Sequence, residues 1–486
     1  MTEVTTPQSH SLSHASRIHG GWLGKSIGGT LGLPAEGRME RLSFTFYDPI
    51  PTIAPPNDDL ELQLVWLHLV EKAGDTLTAA DFARGWLDHI HYMWDEYGRC
   101  RWNLRRGVPA ESAGIFENHF QSGMGSPIRS EIWACLFPDD PDSAAHYAAL
   151  DASLDHGLEG IAGEVLFAVM QSLALSGASV TEAISQAMRY IPAGSETAQA
   201  VELVRHCHAE GIQVWKCWEQ LLTAHGNENF THAPLNVALT IWALLYGDED
   251  FERSILLAVN GGYDTDCTAA TVGATLGFII GTEGIPSKWI APVGEGIFVG
   301  AGIQNIPAPV TLKELTQRVM ALEGKLKKVV WDSSILEEEP PIPALTDLPG
   351  TIYLEPLDGS EPVAWANGEL PANVKAAGGA AWIWQVAADE APREIICLAR
   401  AGARLFLDGE LVLGCRPDSP YVPATHRSPQ GTRITVNPNK GIHSIRFELD
   451  SKDPGQSATV ILAYPNLHIA PWTLAELPDA ANLPDA

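Results

Sequence analysis

Four glycines spaced four residues apart, Gly20, Gly24, Gly28 and Gly32, constrain this chain more than any other feature. On a helix that spacing puts them on one face, and the bare stripe lets another backbone approach closely. Each interior glycine costs a helix about 1 kcal/mol relative to alanine, so the stripe requires a packing or site reason. Pro34 then ends the helix, because its ring fixes φ and removes a donor. Glu36 lies just past that end.

A second segment, Pro55-Pro56-Asn57-Asp58-Asp59-Leu60-Glu61, opens another helix. Asp58 and Glu61 have capping-box spacing, and acids at a helix start complement its dipole. A third segment, Asn260-Gly261-Gly262-Tyr263-Asp264-Thr265-Asp266-Cys267, delivers two aspartates into the start of a helix of small residues, with Gly273 and Gly277 further along. No Lys or Arg lies between Arg253 and Lys288 to pair with Asp264 and Asp266. Buried carboxylates need partners or a cation. Asp58, Asp59, Asp264 and Asp266 together make an oxygen-rich set of the kind that hard divalent cations such as Mg²⁺ prefer.

The domain plan follows from length and pattern. A chain of 486 residues is too long for one ordinary core. Residues 1–16 are polar and read as a disordered lead-in without a signal-peptide core. Residues 17–330 read as an all-α domain, with apolar-periodic stretches at Leu60–Val70, Gly160–Leu175, Val180–Tyr190, Leu235–Tyr246, Phe251–Val259 and Thr311–Lys328. Residues 331–348 are an acidic, proline-rich linker. Residues 349–472 read as an all-β sandwich, with strands at Ala381–Val386, Glu394–Leu398, Ala403–Leu407 and Leu411–Leu413 and a hairpin turn at Asp408-Gly409. Ile445, Phe447 and Leu449 alternate with polar neighbours. Residues 473–486 read as a flexible tail.

Composition narrows the function classes. The net charge of −29 argues against general nucleic-acid binding, which rests on Lys and Arg. No uninterrupted apolar run reaches the roughly 18 residues of a membrane span. Seven scattered cysteines without CxxC spacing fit a reducing compartment, so the expected location is cytoplasmic. His89 and His91, like His206 and His208, stand two apart and do not face each other on a helix. Trp215 and Trp218 have core-like helical spacing.

The three segments resemble the motifs of the ADP-ribosylglycohydrolase family. Gly28 to Glu36 is similar to its G-D-x-L-G-x-P-x-E element, Asn57-Asp58-Asp59-Leu60 to its T-D-D-T element, and Gly261 to Cys267 to its G-G-D-T-D-T element. Gly123-Met124-Gly125-Ser126-Pro127-Ile128-Arg129 resembles the family's G-N-G-S-x-x-R loop, and His156 stands where the family often has a histidine. The resemblance covers about residues 17–305. It implies an all-α fold with a Mg²⁺ centre of one or two ions, Mn²⁺ being the alternative. Asn57, Asp58, Asp59, Asp264, Asp266 and Cys267 would stand at metal-ligand positions. Glu36, Asp58 and Asp59 would be the catalytic candidates, and Gly125, Ser126, His156, Gly262 and Tyr263 would line the substrate.

The implied activity is cleavage of the glycosidic bond of an ADP-ribosyl or related ribosyl group. The alternatives are another furanoside or nucleoside-like sugar, or a non-catalytic metal- or sugar-binding relative. The chain departs from the family pattern at Gly29, Asn57, Leu60 and Cys267. These changes bear on the second metal and on the sugar. The C-terminal stretch Ala403 to Gly414, with Lys440 to Phe447, is similar to carbohydrate-binding β-sandwich modules. Oligomeric state is not legible in the sequence.

Overall fold

In the computed structural model the chain is a helical domain followed by small antiparallel sheets. The structure describes residues 12–92, 95–337, 340–345, 348, 352–365, 368, 370–377, 379–385, 392–417, 431–439, 442–453 and 455–463. The expected tail at 473–486 and most of the expected lead-in lie outside them. Two compact units are present: residues 1–85, 124–152 and 158–338 form the first, and residues 86–123, 153–157 and 339–486 the second.

The first unit is organised by its glycines. Helix α1 (His14–Gly32) begins where Ser13 accepts the Ser16 N–H, inside the segment expected to be disordered. Its stripe lies against the backbone of the Thr265–Gly284 helix. Gly20 faces Gly277, Gly24 faces Gly273, Gly28 faces Ala269 and Gly32 faces Thr265. The two residue numbers in each pair run in opposite directions, so the helices are antiparallel. A β-carbon at any of these four positions would overlap a backbone atom of the other helix. The Thr265 hydroxyl donates to the Gly32 carbonyl at 2.8 Å and fastens the end of this seam.

Helix α2 (Asp58–Lys72) is capped by Asn57, whose side chain accepts the Asp59 N–H. This corrects the expected box: the cap stands one residue earlier, and Glu61 accepts the Gly300 N–H instead of reaching back to it. The Leu158–Leu175 and Ala233–Gly247 helices are buried almost throughout and form the core. The first of them is long and apolar enough to resemble a membrane span, yet 89% of it is buried inside the protein. The expected helix at 311–328 stops at Met320, after which the chain turns and Gly324 takes a positive φ of 73°.

The second unit carries β1 (Ile352–Pro356), β2 (Val363–Trp365), β3 (Gly379–Gln385), β4 (Arg393–Ala399), β5 (Ala403–Leu407), β6 (Glu410–Cys415), β7 (Arg433–Val436), β8 (Ile442–Leu449) and β9 (Ala458–Ala463). One sheet has the order β2-β1-β3-β8-β5-β6 and the other β7-β4-β9, with antiparallel pairing. Asp408 and Gly409, with φ of 49° and 89°, make the tight turn between β5 and β6. Both sheets contribute to one core, including Leu354, Leu405, Ile445 and Phe447 from the first and Ile395, Cys397, Val460 and Leu462 from the second. Ile396, Leu398 and Ile461, on the other face of β4 and β9, pack with Phe120 of the same unit.

Substituting alanine for Gly24 or Gly28 forces the seam apart and is expected to cost about 3 kcal/mol. Gly74, with nothing within 4 Å of a built β-carbon, is the control and is expected to tolerate alanine. Urea unfolding of the three variants checks this, and equal stabilities would refute the seam.

Candidate metal centre

The glycine seam brings the loop after α1 next to the start of the Thr265–Gly284 helix, and two further restraints lock these pieces together. Gly37 donates to the Tyr263 carbonyl at 2.9 Å, and Tyr263 donates to the Arg38 carbonyl at 2.8 Å. Asn260 pairs with the continuation of that loop. Its carbonyl accepts from Leu42 N–H at 2.9 Å, its Oδ1 from Phe44 N–H at 2.6 Å, and its Nδ2 donates to the Phe44 carbonyl at 2.9 Å. Gly262 takes φ of 74°, and a β-carbon there would press on the Arg38 and Glu40 carbonyls. Tyr263 follows in the same left-handed region at 70°, a conformation that a bulky side chain adopts only when its surroundings impose it. Its ring is buried, and burial pushes the phenol pKa up.

Asp264 sits at the N-cap position without capping, so its carboxylate is left to the site. Its backbone N–H is received by Asn236 Oδ1 at 3.2 Å. The Asn236 amide group is oriented by its two donations, to the Phe230 carbonyl at 2.7 Å and the His232 carbonyl at 3.0 Å. Trp218 Nε1 donates to the Gly261 carbonyl at 3.0 Å. Asn236, Asn260 and Trp218 are supports that sequence reasoning missed. Trp218 was read as core from its spacing, and the asparagines carry no spacing signal at all.

The carboxylates converge in two groups. Glu36, Asp264 and Asp266 bring one oxygen each to within 4.8 Å of one another, and Asp59, Asp266 and Cys267 do the same with two oxygens and a sulfur. Asp266 belongs to both. Asp59, Asp264 and Asp266 are 1%, 2% and 4% exposed. Neither Asp59 Oδ1 nor Asp266 Oδ1 has a hydrogen-bond partner among the described residues. Such orphaned, buried oxygens fit a divalent cation, and the all-oxygen group fits a hard one.

Behind Asp59 lies a buried polar network. Lys25, projecting from α1 and 1% exposed, donates to the Ile128 carbonyl at 2.7 Å. It stands 3.1 Å from Glu131 and 3.7 Å from Asp59 Oδ1. Gln63 donates to Glu131 and to the Asp59 carbonyl, each at 2.8 Å, and accepts from Ile132 N–H at 2.8 Å. Lys25 carries no local signal for this role, because its pairing with Glu131 and Asp59 is made at long range.

Burial dominates the electrostatics. It pushes Asp59 well above the ordinary carboxylate range, with Lys25 pulling back and Asp266 and Asp58 adding repulsion. Asp264 is raised by burial and then by Asp266 and Glu36. Asp266 is pushed to about 8 by burial and then by Glu36 and Asp58. Glu61 is pushed to about 7 by burial, against the opposing Gly300 N–H.

The remaining candidates fall elsewhere. Asp58, half-buried, repels Asp59 and Asp266 but belongs to neither converging group. Asn57 caps helix α2. Its oxygen accepts the Asp59 N–H at 2.7 Å, and its amide nitrogen faces Asp266 at 3.3 Å. Gly29 faces that same amide, which a β-carbon would meet at 3.3 Å. The Gly125 carbonyl accepts from Arg129, which is paired with Asp151 at 2.9 Å, so this loop is braced by a buried ion pair. Ser126 is fully buried at the start of the Pro127–Arg129 turn. His156 belongs to the second unit, where its Nδ1 stands 2.9 Å from Asp155.

The raised pKa values set a pH dependence. A carboxyl that binds its proton more tightly in the folded state stabilises the fold fully below the unfolded pKa, and that contribution is lost as pH rises through the folded value. For Asp266 the window runs from its ordinary 3.8 to about 8. The metal-free protein is therefore expected to melt at falling temperature across that window, and Asp266→Asn to flatten the decline. Melting curves in EDTA at several pH values check this, and a profile identical in the variant would contradict it.

Residues 10–327 match the family model for ADP-ribosylglycohydrolase. An uncharacterized protein of Archaeoglobus fulgidus is 24% identical over 302 residues, which are 57% of this chain and 91% of that protein. A solved structure described as an ADP-ribosylglycohydrolase-related protein complex aligns with a TM-score of 0.45 and 21% identity, over 64% of this chain and 97% of its own. With the family model spanning well over half of its length, the chain belongs to the ADP-ribosylglycohydrolase family.

Proposed function

We propose that this protein is a Mg²⁺-dependent glycohydrolase that cleaves the glycosidic bond at C1″ of an ADP-ribosyl or related ribosyl group. The observation that carries the reading is the pair of three-ligand groups sharing Asp266, inside a domain of this family. Asp264 and Asp266, both almost fully buried, would hold the ion, with Asp59 on the other side of Asp266, and Mn²⁺ is the alternative to Mg²⁺. A bound divalent ion supplies Lewis acidity toward a sugar oxygen.

Glu36 differs from those three in being only half-buried, and it stands in the all-oxygen group. It is the carboxylate with access to both site and solvent, and the proton work falls to it. Water adds its hydroxide to C1″ as the bond to the leaving nitrogen or oxygen breaks. Glu36 accepts the water's proton and returns one to the leaving atom. The Gly37–Tyr263 and Tyr263–Arg38 hydrogen bonds hold its loop in place. The free cysteines suit a cytoplasmic location as part of the same reading. We also read the two sheets with their common core as a β-sandwich of the carbohydrate-binding kind.

The test is product release, followed by mass spectrometry, from a panel of ADP-ribosylated and simple ribosyl compounds with Mg²⁺ or EDTA. Free ADP-ribose only with Mg²⁺ is expected. Asp264→Ala is expected to abolish release, and Glu36→Gln to lower kcat by about 10² to 10⁴. Release of a different sugar alone would move the substrate to another furanoside. Release that ignores EDTA would refute the metal-dependent reading.

A further inference from the structure

The two converging groups are not chemically alike. Glu36, Asp264 and Asp266 offer only oxygens, whereas Asp59, Asp266 and Cys267 offer two oxygens and a thiol. Cys267 Sγ stands 3.8 Å from Asp59 Oδ2, and the residue is 9% exposed. The orphaned oxygens, Asp59 Oδ1 and Asp266 Oδ1, both belong to residues of this second group that are more than nine-tenths buried. Lys25 does not replace a cation there, because it is closer to Glu131 at 3.1 Å than to Asp59 at 3.7 Å, and its charge is shared between them. Asn57 turns its amide nitrogen, not its oxygen, toward Asp266. The thiol is therefore the third donor that the geometry supplies.

Sulfur is a poor ligand for Mg²⁺, which demands oxygen donors in near-octahedral geometry. It is a good one for borderline cations, which accept mixed sulfur and oxygen sets. We propose that the pocket formed by Asp59, Asp266 and Cys267 selects a borderline divalent cation of the zinc or cobalt kind, while Asp264 and Asp266, beside Glu36, take the hard ion. The centre would then be mixed, with Asp266 common to both positions. Binding at the second pocket displaces the thiol proton to solvent and leaves a metal–thiolate bond. The inference rests on reading the cluster as a metal centre and adds the identity of its second ion.

The experiment is a titration of the metal-free, full-length protein with Co²⁺, followed by absorption spectroscopy. A thiolate-to-cobalt charge-transfer band in the near ultraviolet is expected to saturate at about one equivalent and to survive excess Mg²⁺. Cys267→Ser is expected to abolish the band, and Cys135→Ser, a buried cysteine outside the two groups, to leave it intact. Absence of the band in the wild type, its persistence in Cys267→Ser, or its displacement by Mg²⁺ would overturn the proposal. The Mg²⁺ competition uses only the wild type, so the proposal remains testable if the serine variant does not fold. Cobalt bound through sulfur without any glycosidic turnover would leave this pocket standing and sink the hydrolase reading. Turnover without the band would do the reverse.

Discussion

Backbone contact between two helices is the constraint on which the rest of the site depends. Side chains ordinarily keep helix axes 8–10 Å apart. Here glycine removes them at each four-residue step, so α1 and the Thr265–Gly284 helix touch main chain to main chain. The seam ends where the chemistry begins: Gly32 meets Thr265, four residues before Glu36 and one before Asp266. Two acidic segments more than 200 residues apart in the chain are thereby held at fixed separation. The helix-forming penalty of the glycines is offset by this placement and by the packing along the whole seam.

The seam has an electrostatic consequence. Asp59, Asp264 and Asp266 are almost fully buried, Asp266 raises the pKa of both Asp59 and Asp264, and Asp59 adds to the rise of Asp264. Lys25 meets only part of this charge, since Glu131 claims it more closely. A fold that concentrates more carboxylates in its interior than its buried cations can pair gives up stability unless protons or further cations occupy them. The same imbalance that destabilises the empty protein provides the affinity for an ion. Asn236, Asn260 and Trp218 then restrict the loop carrying Asp264, so that little ordering remains when a ligand arrives.

Much of this was legible in the sequence, for physical reasons that differ by element. The glycine stripe, the Gly-Gly turn before Asp264 and the Asp408-Gly409 hairpin are local, because each follows from the conformations glycine permits. The core helices announced themselves through apolar period, and their ends moved by only a few residues. What the sequence did not disclose depends on contacts made at long range. That Gly20 faces Gly277 cannot be read from either glycine alone, and neither can the burial of Lys25 beside Glu131. Asn57 illustrates the same limit. Its residue type suits both a ligand and a helix cap, and only the position of the Asp59 N–H shows that it caps. The strands β1, β2, β7 and β9 went unread because they are short or lack alternation, β9 being buried on both faces.

The claim that the buried carboxylates form a cation site is tested most directly by calorimetric titration of the metal-free protein with Mg²⁺ near neutral pH. The account requires saturable binding accompanied by proton release, because Asp266, pushed to about 8 by burial, must surrender its proton to accept the ion. It also requires both signals to vanish in an Asp264→Asn, Asp266→Asn double variant that still folds. Binding heat that persists in that variant, or no saturable heat in the wild type, would contradict it.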